Sequence, residues 1–378
     1  MNHVFFHADI DGIFAAAIFM NKTGIIRTDQ YVLHPMLSSA RGERFKNLVN
    51  SIGKLDADGN ENFIYVFDYQ YTNKAHVWID HHQNEAMGYE PILNKKICFD
   101  NRAKSTAILV KKYLEKFGEV TFDEGDQGLS LIGAANRIDY ADYPNVDYVF
   151  TDKTPAMIMR AYLETAFPSE MMFCRLVETI AKYSLDLRRS IRVLNLTQKC
   201  VSDLEGRAKK VQRFLEIYTD FSLVRQKYPY QYPRYSENYV KPNIKYNVRV
   251  SGGDNNMYYI QVSYNRWCES PNTFNVGNYV SSSKTFIKGG GHFHIGSGVI
   301  GRKDLDKFLD ELSVVLEKER NGMEDETGEG MEKVGVDKKN DPVEKKAQEM
   351  VKTGSVKDID KAREQASDQK GKEEVSEK

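Results

Sequence analysis

Short apolar runs alternate with amphipathic segments from residue 4 to about residue 142, and two of those runs, residues 63–67 and 76–79, stop on an aspartate, Asp68 and Asp80. Parallel strands need crossover connections, and the crossing helices then cover both faces of the sheet, so this alternation implies an α/β fold with a parallel sheet and flanking helices. Strands are expected at Val4-Phe5-Phe6 and over residues 31–33, 63–67 and 76–79. Helices are expected over 12–20, 41–49, 104–117, 129–135, 155–167 and 170–187, with Ser105-Thr106 placed to cap the third. Acidic groups at strand ends matter because open α/β sheets bind their ligands at the carboxyl edge.

Past residue 187 the pattern changes. Residues 188–216 form a charged amphipathic stretch that reads as a connecting helix, with Gly206 as a point of interruption. Tyr228, Tyr230, Tyr232, Tyr235 and Tyr239, interleaved with Pro229 and Pro233, suggest an extended segment packed between domains, with stacking on bases as the lesser reading. Residues 245–250 and 257–263 read as strands joined around Gly252-Gly253-Asp254-Asn255, and residues 305–316 as a closing helix. From residue 319 to the end, aromatic and β-branched residues nearly vanish, so 319–378 is expected to be a disordered charged tail. The expected division is a domain over 1–187, a helical and Tyr/Pro-rich linker over 188–240, a smaller α+β domain over 241–318, and the tail.

Composition restricts the function. A hydrophobic fraction of 41% and a charged fraction of 28% are those of a globular protein, and no apolar stretch suits a bilayer crossing or a signal peptide, so a cytoplasmic location is expected. The four cysteines are scattered without metal-ligand spacing and are expected to be buried thiols. A formal net charge of -1 lacks the basic footprint of a protein that holds long nucleic acid.

The chemistry lies in four separated pieces: His7-Ala8-Asp9-Ile10-Asp11-Gly12, Asp68, Asp80-His81-His82, and Asp139. His7, Asp9 and Asp11 alternate, so an extended backbone would put all three on one face. Alone, an Asp-x-Asp-Gly is usually a turn and a His-His pair a surface accident; together, in order and mostly at strand ends, they point to a dinuclear metal site. Asp142 is as available as Asp139 for the last carboxylate. Phosphate ester hydrolysis at neutral pH needs a strong nucleophile and charge neutralisation, and two cations about 3.5–4 Å apart supply both. Oxygen-rich ligation with imidazole suits manganese, or magnesium, better than zinc.

These residues resemble the DHH phosphoesterases, whose defining triplet stands here as Asp80-His81-His82. His7 to Gly12 is similar to the first motif of the RecJ and nano-RNase branches, Asp68 to the second, and Asp139 to the fourth. Gly289-Gly290-Gly291-His292, followed by Gly296-Ser297-Gly298, resembles the glycine-rich signature of the associated DHHA1 substrate domain. The resemblance implies that His7, Asp9 and Asp68 hold one cation and Asp11, Asp68, His81 and Asp139 the other. It assigns His82 to the transition state or the leaving group, and Asp80 to orienting its neighbours. Gly289, Gly290, Gly291, His292 and Arg266 would grip a substrate phosphate, since consecutive glycines let backbone N–H groups approach an anion.

The expected activity is therefore metal-dependent hydrolysis of phosphodiester bonds in short single-stranded oligonucleotides or nucleotides, in the manner of a nano-RNase or a RecJ-like exonuclease. Cyclic-dinucleotide or nucleoside-bisphosphate cleavage is the alternative chemistry, and a catalytically silent nucleic-acid-binding adaptor the alternative class. A homodimer is compatible with the sequence, and protein partners are unassigned.

Overall fold

The computed structural model describes residues 1–37, 43–82, 90–118, 120–166, 168–227, 231–252, 256–269 and 272–321. Met1–Glu311 forms one compact unit that contains two six-stranded sheets; of the second unit, Leu312–Lys378, the described part is the end of a helix. The expected tail beyond residue 321, Tyr228 and Tyr230, and the turn at Gly253, Asp254 and Asn255 lie outside the described residues.

The first sheet is built from β1 (Asn2–His7), β2 (Tyr31–Met36), β3 (Phe63–Phe67), β4 (Val77–Asp80), β5 (Ile92–Leu93) and β6 (Ile97–Phe99). Its order is β2-β1-β3-β4-β6-β5, parallel throughout except for the short edge strand β5, which the apolar pattern had not revealed. The chain winds outward from β1 in both directions, so the crevice of the fold opens between the carboxyl ends of β1 and β3, paired through Phe6 and Phe67.

Successive side chains of β1 point to opposite faces of the sheet. Val4 and Phe6 join Phe67 and Ile79 in the core under α1 (Ile10–Lys22), whereas Phe5 packs with Val66, Trp78, Phe99 and the Phe45 and Val49 of α2 (Glu43–Ser51). Burial on both faces explains why these strands read as unbroken apolar runs.

Every residue of α1 from Ile10 to Met20 is buried, and Ala15-Ala16-Ala17 keep it slim enough to be enclosed by α3 (Thr106–Phe117), α4 (Gln127–Asp139) and α7 (Glu170–Lys182). Between α4 and α7 lie α5 (Val146–Thr151) and α6 (Pro155–Ala166). Gly12 is required where α1 leaves β1, because a Cβ there would stand 2.3 Å from the His7 carbonyl oxygen. Forcing that contact costs up to about 3 kcal/mol, against about 1 kcal/mol of helix preference gained. Gly12→Ala is thus expected to lose about 2 kcal/mol of stability, read as a lowered urea midpoint; an unchanged midpoint would mean that the turn is free to relax.

The chain continues through α8 (Leu187–Val193) and α9 (Lys199–Lys210) into the second sheet. That sheet comprises β7 (Leu215–Ile217), β8 (Phe221–Gln226), β9 (Tyr246–Gly252), β10 (Met257–Tyr264), β11 (Lys288–His292) and β12 (Ile295–Gly301), in the order β11-β12-β10-β9-β8-β7. Only β8 and β9 pair in parallel. The helices α10 (Ser236–Val240), α11 (Val276–Ser282) and α12 (Leu305–Arg320) complete the order.

Four expectations change. The stretch 188–216 is not one helix: it breaks after α8, where Asn195 adopts a left-handed φ of 55°, and resumes as α9. Gly206 does not interrupt α9, which is held by the buried Val201, Leu204 and Ala208. The expected helix over 170–187 stops at Lys182, because Ser184 and Leu185 take positive φ. All four cysteines are free thiols as expected, but only Cys98 is fully buried.

Candidate metal centre

The side chains expected to hold cations converge at the carboxyl ends of β1, β3 and β4. They do not arrive by an extended run, as the alternation of His7, Asp9 and Asp11 had suggested. His7 ends β1, Asp9 is the N-cap of α1 and accepts the Gly12 N–H at 3.1 Å, and Asp11 lies in the first turn of α1. A strand, a cap and a helical turn thus bring the three carboxylate and imidazole groups to one place.

Asp68 follows β3 in a left-handed conformation, φ 58°, which is costly for most residues and tolerated best by Gly, Asn and Asp. Its Oδ1 accepts the Thr106 hydroxyl at 2.9 Å, and its Oδ2 lies 3.4 Å from His7 Nδ1. Asp11 is buried against the start of α3, accepting the backbone N–H groups of Thr106 and Ala107 at 2.5 and 3.0 Å. Thr106 thereby holds two acidic groups at once, a role that its place in the Ser105-Thr106 cap did not reveal.

His81 Nδ1 sits 3.1 Å from the Ala103 carbonyl, which can only accept, so Nδ1 carries hydrogen and Nε2 is the atom turned to the acids. Nε2 lies 3.2 Å from Asp139 and 3.7 Å from both Asp11 and Asp68. Asp139 ends α4 and reaches this point; Asp142 is exposed and pairs with Lys104 at 3.2 Å. Asp80 Oδ1 accepts the backbone N–H groups of His81 and His82 at 2.8 and 3.0 Å and stands 2.9 Å from His82 Nδ1. It holds the backbone at both histidines and the ring of His82.

Three sets of three potential ligand atoms result, His7 with Asp9 and Asp68, Asp11 with His81 and Asp139, and Asp68 with His81 and His82; within each, all atoms lie within 4.8 Å of one another. The donor set fits divalent cations on two counts. First, His7 Nδ1, Asp68 Oδ2 and His81 Nε2 are buried yet lack a hydrogen bond of sound geometry, and a buried polar atom without a partner is costly. Second, the acids crowd one another. Burial, then the Asp68 and Asp139 charges, push Asp11 well above the usual carboxylate range; burial, then the Asp9 charge, raises Asp68. Burial alone would lower His7 and His81, but the neighbouring carboxylates overcome it and lift both to about 11. Protons on the imidazoles occupy the place that cations suit.

Beside this cluster opens a cavity of about 580 Å³, walled by His7, Asp9, Asp11 and Asp139 at one part and by Tyr143, Arg160, Tyr232 and Tyr235 elsewhere. Tyr232 and Tyr235 belong to the described part of the Tyr/Pro-rich segment and wall the cavity. Arg160 was missed, although one arginine inside Ala156-Met157-Ile158-Met159-Arg160-Ala161 is a conspicuous charge in an apolar helix.

The glycine run forms β11 and pairs with β12 rather than making a loop. A Cβ on Gly289 would lie 2.7 Å from Val280 in α11, and one on Gly296 equally close to the same residue, so both are small for packing; a Cβ on Gly290 would meet nothing within 4 Å. Gly289→Ala is expected to cost about 1–3 kcal/mol in urea unfolding, whereas Gly290→Ala stays within about 0.5 kcal/mol. Equal losses would remove the distinction. The His292 side chain lies outside the described residues. Arg266 is exposed, and its Nη1 donates to the Tyr140 and Ala141 carbonyls at 2.5 and 2.6 Å, where Ala141 holds a positive φ of 52°. It braces the turn just after Asp139.

No protein-family model matches the sequence, and no curated protein matches it. Solved structures do resemble the fold. The pGpG-specific phosphodiesterase PggH of Vibrio cholerae aligns with a TM-score of 0.53 at 16% identity, over 82% of this chain and 97% of its own. The DHH domain of a member of the s1p family of ribosomal proteins aligns with a TM-score of 0.51 at 13% identity, over 83% and 86%. RecJ of Thermus thermophilus, in complex with Mn2+, aligns with a TM-score of 0.50 at 12% identity, over 83% of this chain but 51% of RecJ.

Proposed function

We propose, from the premise that the chain has the fold of the DHH/DHHA1 phosphoesterases, that it is a metal-dependent phosphodiesterase acting on short oligonucleotides. The observation that carries this reading is the convergence of the His7, Asp9 and Asp68 set with the Asp11, His81 and Asp139 set, Asp68 standing 3.7 Å from His81 Nε2, with orphaned atoms on His7, Asp68 and His81. His7, Asp9 and Asp68 would hold one divalent cation, and Asp11, His81 and Asp139, with Asp68 shared, the other; manganese is the first choice and magnesium the second. When bound, the cations supply neutralisation of the phosphoryl oxygens and a nucleophile stronger than water.

The chain's own groups do the rest. Ala103 O fixes the His81 ring so that Nε2 stays on the cation side, support of a kind that metal sites commonly use. Asp80 takes His82 Nδ1, leaving Nε2 to hold a proton toward the leaving oxygen, and the His82 side chain is 55% exposed, open to substrate. Gly289, Gly290, Gly291 and His292 would grip a second phosphate, with Gly290 the position left open for it. Catalytic groups thus come from residues 1–187 and phosphate contacts from 241–318.

Short substrates are favoured by the net charge of -1 and by a cavity of nucleotide size. The match to nearly the whole of a pGpG-specific enzyme, against half of RecJ, supports the same reading. Among the described residues no helix is long and apolar enough to cross a membrane. The test is to incubate the pure protein with manganese and, separately, labelled linear dinucleotide, single-stranded DNA, cyclic dinucleotide and adenosine bisphosphate. Fastest cleavage of the dinucleotide is expected. Cleavage of none would leave the adaptor reading, and faster cleavage of either small alternative would reassign the substrate.

A further inference from the structure

Away from the metal cluster, the cavity wall carries buried polar atoms that lack a hydrogen bond. Arg160 in α6 is 4% exposed and Tyr143 6% exposed. Arg160 Nη1 donates to the Val149 carbonyl at 3.0 Å, while Nη2 lies 2.7 Å from Glu164 Oε1 without sound hydrogen-bond geometry. Glu164 Oε2 and the Tyr143 hydroxyl are likewise buried and lack a hydrogen bond. All three residues line the cavity together with the rings of Tyr232 and Tyr235. Three unmet polar atoms on one wall, beside aromatic faces, is the composition of a recognition pocket for a flat, hydrogen-bonding ligand.

Resting on the phosphodiesterase reading, we infer that this wall is a nucleobase subsite selective for guanine, with Glu164 and Arg160 reading the base edge. A carboxylate only accepts, and guanine is the base whose pairing edge offers two adjacent donors, N1–H and the N2 amino group. Its neighbouring O6 accepts, matching the Arg160 guanidinium beside Glu164. Adenine and cytosine place an acceptor ring nitrogen next to their one amino group, which a carboxylate repels, and uracil flanks its N3–H with two carbonyls. Tyr143 can donate or accept through its hydroxyl, and the Tyr235 ring supplies a surface for stacking.

The experiment uses nucleosides, which carry no phosphate, in the presence of a chelator, so that it depends on neither bound cations nor hydrolysis. Guanosine, adenosine, cytidine and uridine are titrated by calorimetry into the wild-type protein, Glu164→Gln and Tyr143→Phe. Guanosine is expected to bind on the order of tenfold or more tighter than the other three. Glu164→Gln should erase that preference while leaving adenosine binding unchanged. Should the glutamine variant fail to fold, Tyr143→Phe, which loses only a hydroxyl, still reads the pocket through a severalfold weakening of guanosine. Equal binding of all four nucleosides, or a guanosine preference that survives Glu164→Gln or is untouched by Tyr143→Phe in its stead, overturns the inference. Selective guanosine binding by a protein that cleaves no phosphodiester would uphold the subsite and overturn the enzymatic reading.

Discussion

Asp68→Asn is expected to lower turnover by more than about 10³-fold while the fold survives unharmed. Asp68 stands 3.4 Å from His7 Nδ1 and 3.7 Å from His81 Nε2, so on the proposed assignment its loss weakens the hold on each cation. Lewis-acid stabilisation is worth several kcal/mol, and each 1.36 kcal/mol is about tenfold in rate. Asparagine is chosen because it tolerates the φ of 58° and can still accept the Thr106 hydroxyl. Burial and the Asp9 charge raise the Asp68 carboxyl, which means that its ionised form opposes folding at neutral pH. A neutral isostere therefore leaves the urea midpoint of the metal-free protein unchanged or higher. Retained activity would defeat the shared-ligand assignment; a collapsed fold would show that Asp68 is structural.

Manganese binding is expected to release about two protons per chain near neutral pH, one each from His7 and His81, which the bare carboxylates hold to about 11. Affinity should accordingly rise by about two log units per pH unit over that range. Calorimetry in two buffers of different ionisation enthalpy measures the proton count, and thermal unfolding at a hundredfold excess over Kd should gain about 2.7 kcal/mol for each cation bound. The metal-free protein has the opposite sign. A histidine pKa raised above its unfolded value near 6.5 contributes stability that is complete below that pH and lost as pH rises through about 11. Alkaline conditions thus loosen the empty site and favour the filled one. Proton release near zero would contradict the geometry of both imidazoles.

The ends of β3 and β4 were legible because parallel strands buried on both faces leave apolar runs with sharp polar stops, at Asp68 and Asp80. Asp139 was harder, since it ends a helix, where a carboxylate has no special signature; only the fold shows that it meets His81 while Asp142 turns to Lys104. The breaks at Asn195 and at Ser184-Leu185 escaped notice because left-handed φ values at such residues are set by tertiary packing. The glycines of β11 and β12 illustrate the reverse: two of them are small because Val280 lies against them, a contact that no local pattern encodes. The same holds for the cavity, whose wall is assembled from α6 and from a segment some seventy residues further along the chain.

Anomalous diffraction from crystals grown with manganese would test the central claim most directly. Two peaks are predicted, one touching His7 and Asp9, the other Asp11, His81 and Asp139, with Asp68 in contact with both. A single peak, or manganese lying away from Asp68, would contradict the dinuclear account.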